Sequence, residues 1–469
     1  MAKNKDVTRR DVVKMAGAAT VATAAVKAIQ GAPAIQKVHA ANEQIQIAMI
    51  GTGGRGQYHI THMNKLDGYK TVAVCDIDDA NLKKASDIAR DKPQGFKDYR
   101  EVLARKDVDA VIIATPLFAH YPITRDALLA GKHVFCEKSL VFRPEEVHGL
   151  RALSRERPKQ VLQTGLQRRY SQFYAAARQM VSKGMLGDVM HIQAQWHRNP
   201  GWTMKPDPDI NKQKLKNWRL YREYSGGLTA ELASHQIDVA DWMFGATPEF
   251  VVGVGGIDYQ KDGRTVYDNI ELIYRYPRGQ KLVYTSISTN KHLTLFQSAR
   301  TEFGEIIMGT EGTIHITVGS DNEPAIGMWF SEPSPKTIAK IKAGEKVTTA
   351  SASLLGTGLG SRPLPILLGK DEVTGKESFL ARELKYARRW LYTKGVMLPE
   401  EDRNPVDVQL EQFFECCRTG AKPKADLEIG LHDSVAVMLS NLAMDEGRRV
   451  YFNEIEKMGK EPEKGAKKG

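Results

Sequence analysis

The stretch Ile45-Gln46-Ile47-Ala48-Met49-Ile50-Gly51-Thr52-Gly53-Gly54-Arg55-Gly56 decides how the rest of the chain is read. Its first six residues form a short, mostly apolar run of the kind found in strands buried on both faces. The run passes directly into a G-x-G-x-x-G sequence, and Tyr58 to Leu66 behind it has helical spacing. Asp76 follows Gly56 by twenty residues, at the end of a second apolar run from Thr71 to Cys75. A lone G-x-G-x-x-G is weak, but this one has strand, helix and acidic residue in the places a dinucleotide site requires. Gly51 allows the tight turn, Gly53 lets the backbone approach a pyrophosphate, and Gly56 lets the helix pack closely on the sheet. The helix start, with Gly54 and Arg55, offers free N–H groups and partial positive charge to the phosphates. Asp76 suits both ribose hydroxyls and repels a 2′-phosphate, which favours NAD; Lys83 and Lys84 keep NADP open.

Outward from this unit the same grammar continues. Apolar runs at Ala110–Ala114, His133–Cys136 and Val161–Thr164 alternate with helical patterns at 80–90, 121–130 and 144–155. Such alternation predicts a parallel, doubly wound sheet. It ends near Gly165. A helix over 172–183, a strand over 189–196, a long irregular loop and a further helix follow. Strands are then expected at 249–255, 269–275, 281–289 and 305–308. Successive strands without helices between them predict a largely antiparallel sheet. Residues 319–375 are rich in Pro, Gly, Ser and Lys and read as an elaborated loop with little regular structure. Helices return at 377–392, 406–418 and 430–448. The expected fold class is α/β: an N-terminal Rossmann dinucleotide-binding domain over 41–165, then a C-terminal α/β domain over 166–456 with a largely antiparallel open sheet. Residues 457–469 read as a charged, disordered tail.

Composition limits the partners. The 469 residues carry Lys+Arg 67 against Asp+Glu 56, a net +11 that invites a nucleic-acid or anionic-membrane reading. Its distribution removes that reading. Residues 1–40 hold seven Lys and Arg against two Asp, and residues 457–469 hold five Lys against two Glu. The body between them is close to balanced, so no nucleic acid is expected as a partner. No run approaches the ~20 apolar residues of a spanning helix, so no stable membrane insertion is expected either. Thr8-Arg9-Arg10-Asp11-Val12-Val13-Lys14, a mildly apolar stretch from Met15 to Val26, and small residues ending at Ala34 or Ala40 form a twin-arginine export signal over 1–40. The expected partner is that export machinery, and the expected location is periplasmic or otherwise exported. Cys75, Cys136, Cys416 and Cys417 fall at strand ends or side by side on a helix, a poor geometry for bridges, and no structural disulfide is expected.

Ala114-Thr115-Pro116, His120 and Gly131-Lys132-His133-Val134-Phe135-Cys136-Glu137-Lys138 place Thr115, Pro116 and Lys138 just past strand ends. That is the edge where open α/β sheets bind ligands. A lysine there, partly desolvated, polarises a carbonyl or lowers the pKa of a hydroxyl. By position alone a solvated loop lysine is the commoner reading. Glu231 and His235, four apart on a helix expected after Gly226-Gly227, share a face, and a neutral histidine accepts a hydroxyl proton. An ordinary surface ion pair is the alternative. No spacing of ligands marks a metal site, and none is expected. In the loop over 197–224, Arg198, Trp202 and Tyr221 suit a carbohydrate, with its apolar C–H faces and many hydroxyls, whereas Trp218 reads as packing.

These segments together resemble the Gfo/Idh/MocA oxidoreductase family of sugar and polyol dehydrogenases. The resemblance includes Gln163-Thr164-Gly165-Leu166-Gln167-Arg168-Arg169-Tyr170, Glu231-Leu232-Ala233-Ser234-His235-Gln236-Ile237-Asp238, Gly309-Thr310-Glu311-Gly312 and Ala425 to Gly430. It covers nearly all of the chain between the export signal and the tail. It implies that Lys138 is the lysine of the family's Glu-Lys-Pro motif, that His235 holds the acid/base position and that Glu231 stands where many members carry Asp. By the same resemblance Gly51, Gly53, Gly54, Arg55, Gly56, Asp76, Thr115, Pro116, His120, Glu137, Lys138, Gln167 and Arg168 border the cofactor. Tyr170, Arg198, Trp202, Tyr221 and Asp238 border the substrate. Ser139 replaces the family proline, and Glu231 is one methylene longer than Asp. The open sheet implies a homo-oligomer. The leading expectation is an exported NAD(P)-dependent oxidoreductase acting on a small-molecule carbohydrate or polyol, with NAD tightly retained. The alternatives are a glycoside hydrolase or lyase working by transient oxidation with retained NAD, and a non-catalytic nucleotide-binding sensor.

Overall fold

The computed structural model describes residues 44–198, 205–289, 303–317, 326–345, 364–368 and 403–458. The export signal expected over 1–40, Trp202, the helix expected over 377–392 and the tail beyond Met458 lie outside the described residues.

Six short strands make the first sheet: β1 (Ile45–Ile50), β2 (Tyr69–Cys75), β3 (Gln94–Phe96), β4 (Ala110–Ile113), β5 (His133–Cys136) and β6 (Leu162–Thr164). They pair in the order β3-β2-β1-β4-β5-β6, all parallel. The order reverses between β1 and β4, the switch point at which such sheets bind ligands. Helices α1 (Gly54–Met63), α2 (Asp79–Ile88), α3 (Tyr99–Leu103), α4 (His120–Leu129) and α5 (Pro144–Glu156) connect the strands. The inner strands are apolar because both faces are covered: Ile47, Ala48, Met49 and all of β4 are fully buried. Local chemistry sets the helix starts. Asp78 caps α2 through the Asn81 amide, and Glu146 of α5 accepts from the Phe142 and Arg143 amides.

Beyond β6 come α6 (Gln172–Ser182), β7 (Val189–Trp196), α7 (Ile210–Lys216), α8 (Ser234–Phe244), β8 (Phe250–Gly256), β9 (Asn269–Arg275), β10 (Lys281–Ile287), β11 (Phe303–Gly309), β12 (Gly312–Thr317), β13 (Ile326–Ser331), α9 (Pro335–Lys342) and β14 (Leu364–Leu368). The described chain closes with α10 (Pro405–Thr419), α11 (Leu427–Glu446), β15 (Val450–Tyr451) and α12 (Phe452–Met458). Nine strands pair as β14-β13-β12-β11-β7-β10-β9-β8-β15, antiparallel throughout except for β10 beside β7. The largely antiparallel second sheet expected from sequence is therefore present. Strand β9 shows why one face is open: Ile270, Leu272 and Tyr274 turn inward toward α8 and α11, while Glu271, Ile273 and Arg275 face out.

Two features differ from the sequence expectation. The Pro- and Gly-rich stretch over 319–375 contributes β13, α9 and β14, because pairing with β12 organises a segment whose own composition gives no strand signal. Helix α10 also returns to the first sheet. Its Leu410, Phe413 and Phe414 pack among Ile47, Met49 and Phe135; Tyr69 stacks on Phe414 at 4.9 Å, and His62 of α1 bonds Asp407 at 2.6 Å. The dinucleotide-binding sheet is thus completed by a helix some 240 residues beyond its last strand. Phe413→Ala removes a fully buried ring at this contact. It is expected to cost about 3–5 kcal/mol, read as a fall in the denaturant midpoint of the whole protein. A loss below about 1 kcal/mol would mean that α10 is not part of that core.

Candidate active site

Gly51 leaves β1 with φ +84, and a Cβ there would lie 2.7 Å from the Ala114 carbonyl carbon and the Thr115 amide. A Cβ on Gly56 would lie 2.1 Å from Gly51 O, whereas Gly53 and Gly54 face open space. Helix α1 has no side-chain cap at Gly53 and no acidic residue in its first turn. Its free N–H groups therefore meet an anion without competition. Asp76 Oδ2 accepts from Thr52 N at 2.7 Å and Thr52 Oγ1 at 3.2 Å, holding the loop against the end of β2. Across the switch point, Thr115 Oγ1 is buried with no partner among the described residues. A cradle open at Gly53 and Gly54, with an orphaned hydroxyl opposite, fits a dinucleotide.

Glu137 joins this loop to the strand that carries Lys138. Its Oε1 accepts from Arg55 Nε and from His59 Nε2, each at 2.7 Å, and its Oε2 accepts from Lys138 N at 3.2 Å. Burial alone would raise the Glu137 carboxyl, but Arg55 and His59 outweigh it and hold the group well below the usual range. Arg55 continues to Gln167 Oε1 at 2.9 Å. Gly165 has no room for a Cβ, which would fall 2.7 Å from Glu137 Oε2. Lys138 Nζ donates to Ala230 O at 2.9 Å and Glu231 O at 2.5 Å. Burial lowers its pKa, opposed by Glu231, Glu137 and Asp433. His120 sets its ring between Ser139 O at 2.8 Å and Thr115 O at 3.0 Å. It thereby ties the residue after Lys138 to the end of β4, and Pro116 begins the turn that carries it.

Residues Thr229–Ala233 form a π-helical turn that runs into α8. Glu231 lies inside this wider turn, and His235 lies just beyond it in the first turn of α8. Glu231 Oε2 accepts from Arg219 Nε at 2.8 Å, and Arg219 lies over the Trp218 ring. Burial would raise Glu231, but Arg219 and Lys138 keep it low. His235 is 8% exposed and its Nδ1 has no partner among the described residues. Burial first, then the charges of Lys138 and Arg168, push its pKa well below 6.5, so it is neutral at neutral pH. The Trp196 ring lies 5.7 Å from His235 and stacks on Phe303; its Nε1 is also buried without a partner among the described residues.

Other residues singled out in the sequence are held elsewhere. Arg168 ion-pairs with buried Glu305, whose second oxygen takes Tyr174 at 2.6 Å, so its charge is used inside the second sheet. Tyr170 is buried and its OH accepts from Ala425 N. Asp238 pairs with Arg169 at 2.7 Å. Tyr221 is buried, with its OH bonded by Gln213. Arg198 bonds Ile287 O through its backbone, and Trp218 packs against the core as expected. All four cysteines are free. Sequence reasoning passes over His59 and Trp196, and takes Arg219 only as one of the arginines of the loop over 197–224. The i,i+4 spacing of Arg55 and His59 was the available signal for the first. No group of three or more His, Cys, Asp or Glu among the described residues could hold a metal.

The model of the Gfo/Idh/MocA oxidoreductase family's NAD-binding Rossmann fold matches residues 45–165, and that of its C-terminal α/β domain matches 178–452. The chain belongs to that family. Among curated relatives, a glycosyl hydrolase family 109 protein of Shewanella sp. strain ANA-3 is 31% identical over 40% of this chain and 42% of its own. An inositol 2-dehydrogenase of Rubrobacter xylanophilus is 28% identical over 59% of this chain and 72% of its own. The chain spans about half the length of most curated relatives it matches. An aldose-aldose oxidoreductase from Caulobacter crescentus, solved with glycerol, superposes with TM-score 0.62 at 20% identity, covering 87% of this chain and 99% of that one.

In this Gfo/Idh/MocA protein the neutrality of His235 has a measurable cost. The unfolded chain takes up a proton near pH 6.5 that folded His235 refuses, so stability is lost as pH falls below that value. His235→Gln is expected to reduce the fall in stability between pH 6.5 and 5.5 by about 1 kcal/mol, read by denaturant titration at each pH. An unchanged pH slope would show that folded His235 titrates normally.

Proposed function

We propose that this family member transfers hydride at a hydroxyl-bearing carbon of a sugar, sugar derivative or polyol, with Lys138 and His235 managing the hydroxyl proton. One observation carries this reading. Glu137 bonds Arg55 of the dinucleotide loop and the Lys138 amide together, so the phosphate cradle and the lysine are parts of one rigid unit. Bound NAD, or NADP, supplies the hydride acceptor. Lys138 gives two N–H groups to backbone carbonyls, and the third remains for a substrate oxygen. His235, neutral and buried, takes the hydroxyl proton as the carbon is oxidised. Glu231 keeps Arg219 in place at the edge of the site. The inositol 2-dehydrogenase and aldose-aldose oxidoreductase relatives support a polyhydroxy substrate.

A second reading, glycoside cleavage through transient oxidation with no net change in the cofactor, is favoured by the glycosyl hydrolase family 109 relative. The Thr8 to Lys14 motif supports export by the twin-arginine route, with nucleotide carried out already bound. Joining of copies of the chain through the open sheet face is a separate part of the reading, supported by the outward-facing residues of β9.

The purified, folded protein is to be screened against sugars and polyols for change in nicotinamide absorbance, and against aryl glycosides for phenol release. Redox turnover with at least about hundredfold loss in both Lys138→Ala and His235→Ala is the expected result. Phenol release without redox change selects the second reading. Undiminished activity in both variants contradicts the mechanism. Nucleotide released on denaturation supports tight retention, and its absence counts against it.

A further inference from the structure

Helix α1 starts at the phosphate cradle with no side chain capping it, so tertiary contacts fix the direction of its first turns. Arg55, Tyr58 and His62 stand three and then four positions apart on it and share one face. Contact runs along that face. The Arg55 guanidinium carbon lies 5.3 Å from the centre of the Tyr58 ring, and the Tyr58 and His62 rings lie 4.2 Å apart. Glu137 and Gln167 hold the guanidinium by its N–H groups, at 2.7 Å through Nε and 2.9 Å through Nη2. Tyr58 supplies the aromatic surface on which it rests.

The far end of the face is held by a distant part of the chain. Asn404 caps α10: its side-chain oxygen accepts from the Val406 amide at 2.9 Å, and its Nδ2 donates to Tyr58 OH at 3.3 Å. In the first turn of the same helix, Asp407 Oδ1 accepts from His62 Nδ1 at 2.6 Å. That pair is mostly withdrawn from water, with 7% of the histidine and 14% of the aspartate side chain exposed. The start of α10 thus grips Tyr58 and His62 together. Behind it, Leu410, Phe413 and Phe414 anchor α10 in the core of the first sheet. A series of contacts therefore runs from α10 through His62 and Tyr58 to Arg55 and, through Glu137, to the Lys138 amide.

We propose that Tyr58 is a positioning residue for the cofactor: its ring, clamped from α10 by Asn404 directly and by Asp407 through His62, holds Arg55 in the geometry that receives the dinucleotide. This rests on the reading of Gly51 to Gly56 as the dinucleotide cradle. An arginine on its flexible stem loses side-chain freedom when a ligand orders it, and one that is already ordered loses less. The clamp contributes to affinity in that way without touching the cofactor. It makes α10, which follows the last strand of the dinucleotide-binding sheet by some 240 residues, a working part of the cofactor site.

Calorimetry of NAD binding to the full-length protein, stripped of nucleotide, tests this, with melting followed in parallel. Tyr58→Leu is expected to weaken Kd at least about threefold, in the range of one exposed cation–π contact. Tyr58→Phe keeps the ring and is expected to stay within about twofold of wild type. Asp407→Ala, remote from the loop, is expected to weaken binding in the same direction. Both losses are expected to vanish in the Arg55→Met background, since all three changes act through one group. Should Tyr58→Leu not fold, Asp407→Ala carries the test. Lower melting with unchanged Kd in Tyr58→Leu and Asp407→Ala means a merely structural contact and overturns the proposal. A loss in Tyr58→Phe as large as in Tyr58→Leu, or losses undiminished in the Arg55→Met background, overturns it as well. Wild-type affinity in Arg55→Met itself would instead remove Arg55 from the cradle, and with it the reading on which the proposal stands.

Discussion

A carboxylate withdrawn from water costs several kcal/mol unless its neighbours replace the lost hydration, and Glu137 is that group here. Three donors surround it: Arg55 from the dinucleotide loop, His59 from the next turn of α1, and the amide of Lys138. Two of these donors sit on α1, which starts at the phosphate cradle, and the third is the lysine's own amide, so satisfying one buried charge fixes the cradle's helix and the lysine relative to one another. Gly165 follows from the same constraint, since the carboxylate occupies the space a side chain would need.

From that point the site is assembled by long-range contacts. Lys138 reaches across to the carbonyls of Ala230 and Glu231, and the π-turn presents those carbonyls on one side while sending the Glu231 carboxylate to Arg219. His235 is left in a pocket of low dielectric beside two cations, which keeps it neutral and able to accept a proton. Helix α11 closes the back of the same turn through Ser434. The lysine is thereby held from several elements at once, as a group acting at fixed geometry requires.

What the sequence disclosed follows the range of the interactions involved. The run from Ile45 to Gly56, with Asp76 behind it, is read correctly because strand period, turn glycines and helix start are all local. The same holds for β7 through β10, whose alternation is visible residue by residue. Helix α10 is legible as an amphipathic helix, but nothing within it says that Phe413 will lie on a sheet whose last strand ended at Thr164. Arg168 looks available beside the last Rossmann strand, yet its partner Glu305 lies 137 positions away on β11. Tyr170 is likewise taken by Ala425. The α-helical period puts Glu231 and His235 on one face, but nothing in the sequence signals that the turn holding Glu231 is π-helical.

The central claim, that the buried charge of Glu137 organises the cofactor loop, is tested most directly by the affinity of Glu137→Gln for NAD, measured calorimetrically on protein stripped of nucleotide. Glutamine keeps the shape and removes the charge that Arg55 and His59 satisfy. The expected result is a Kd weakened by at least about tenfold, with the loss reproduced by Arg55→Met and not increased when both changes are combined. Unchanged affinity in Glu137→Gln, or fully additive losses in the double variant, would contradict it.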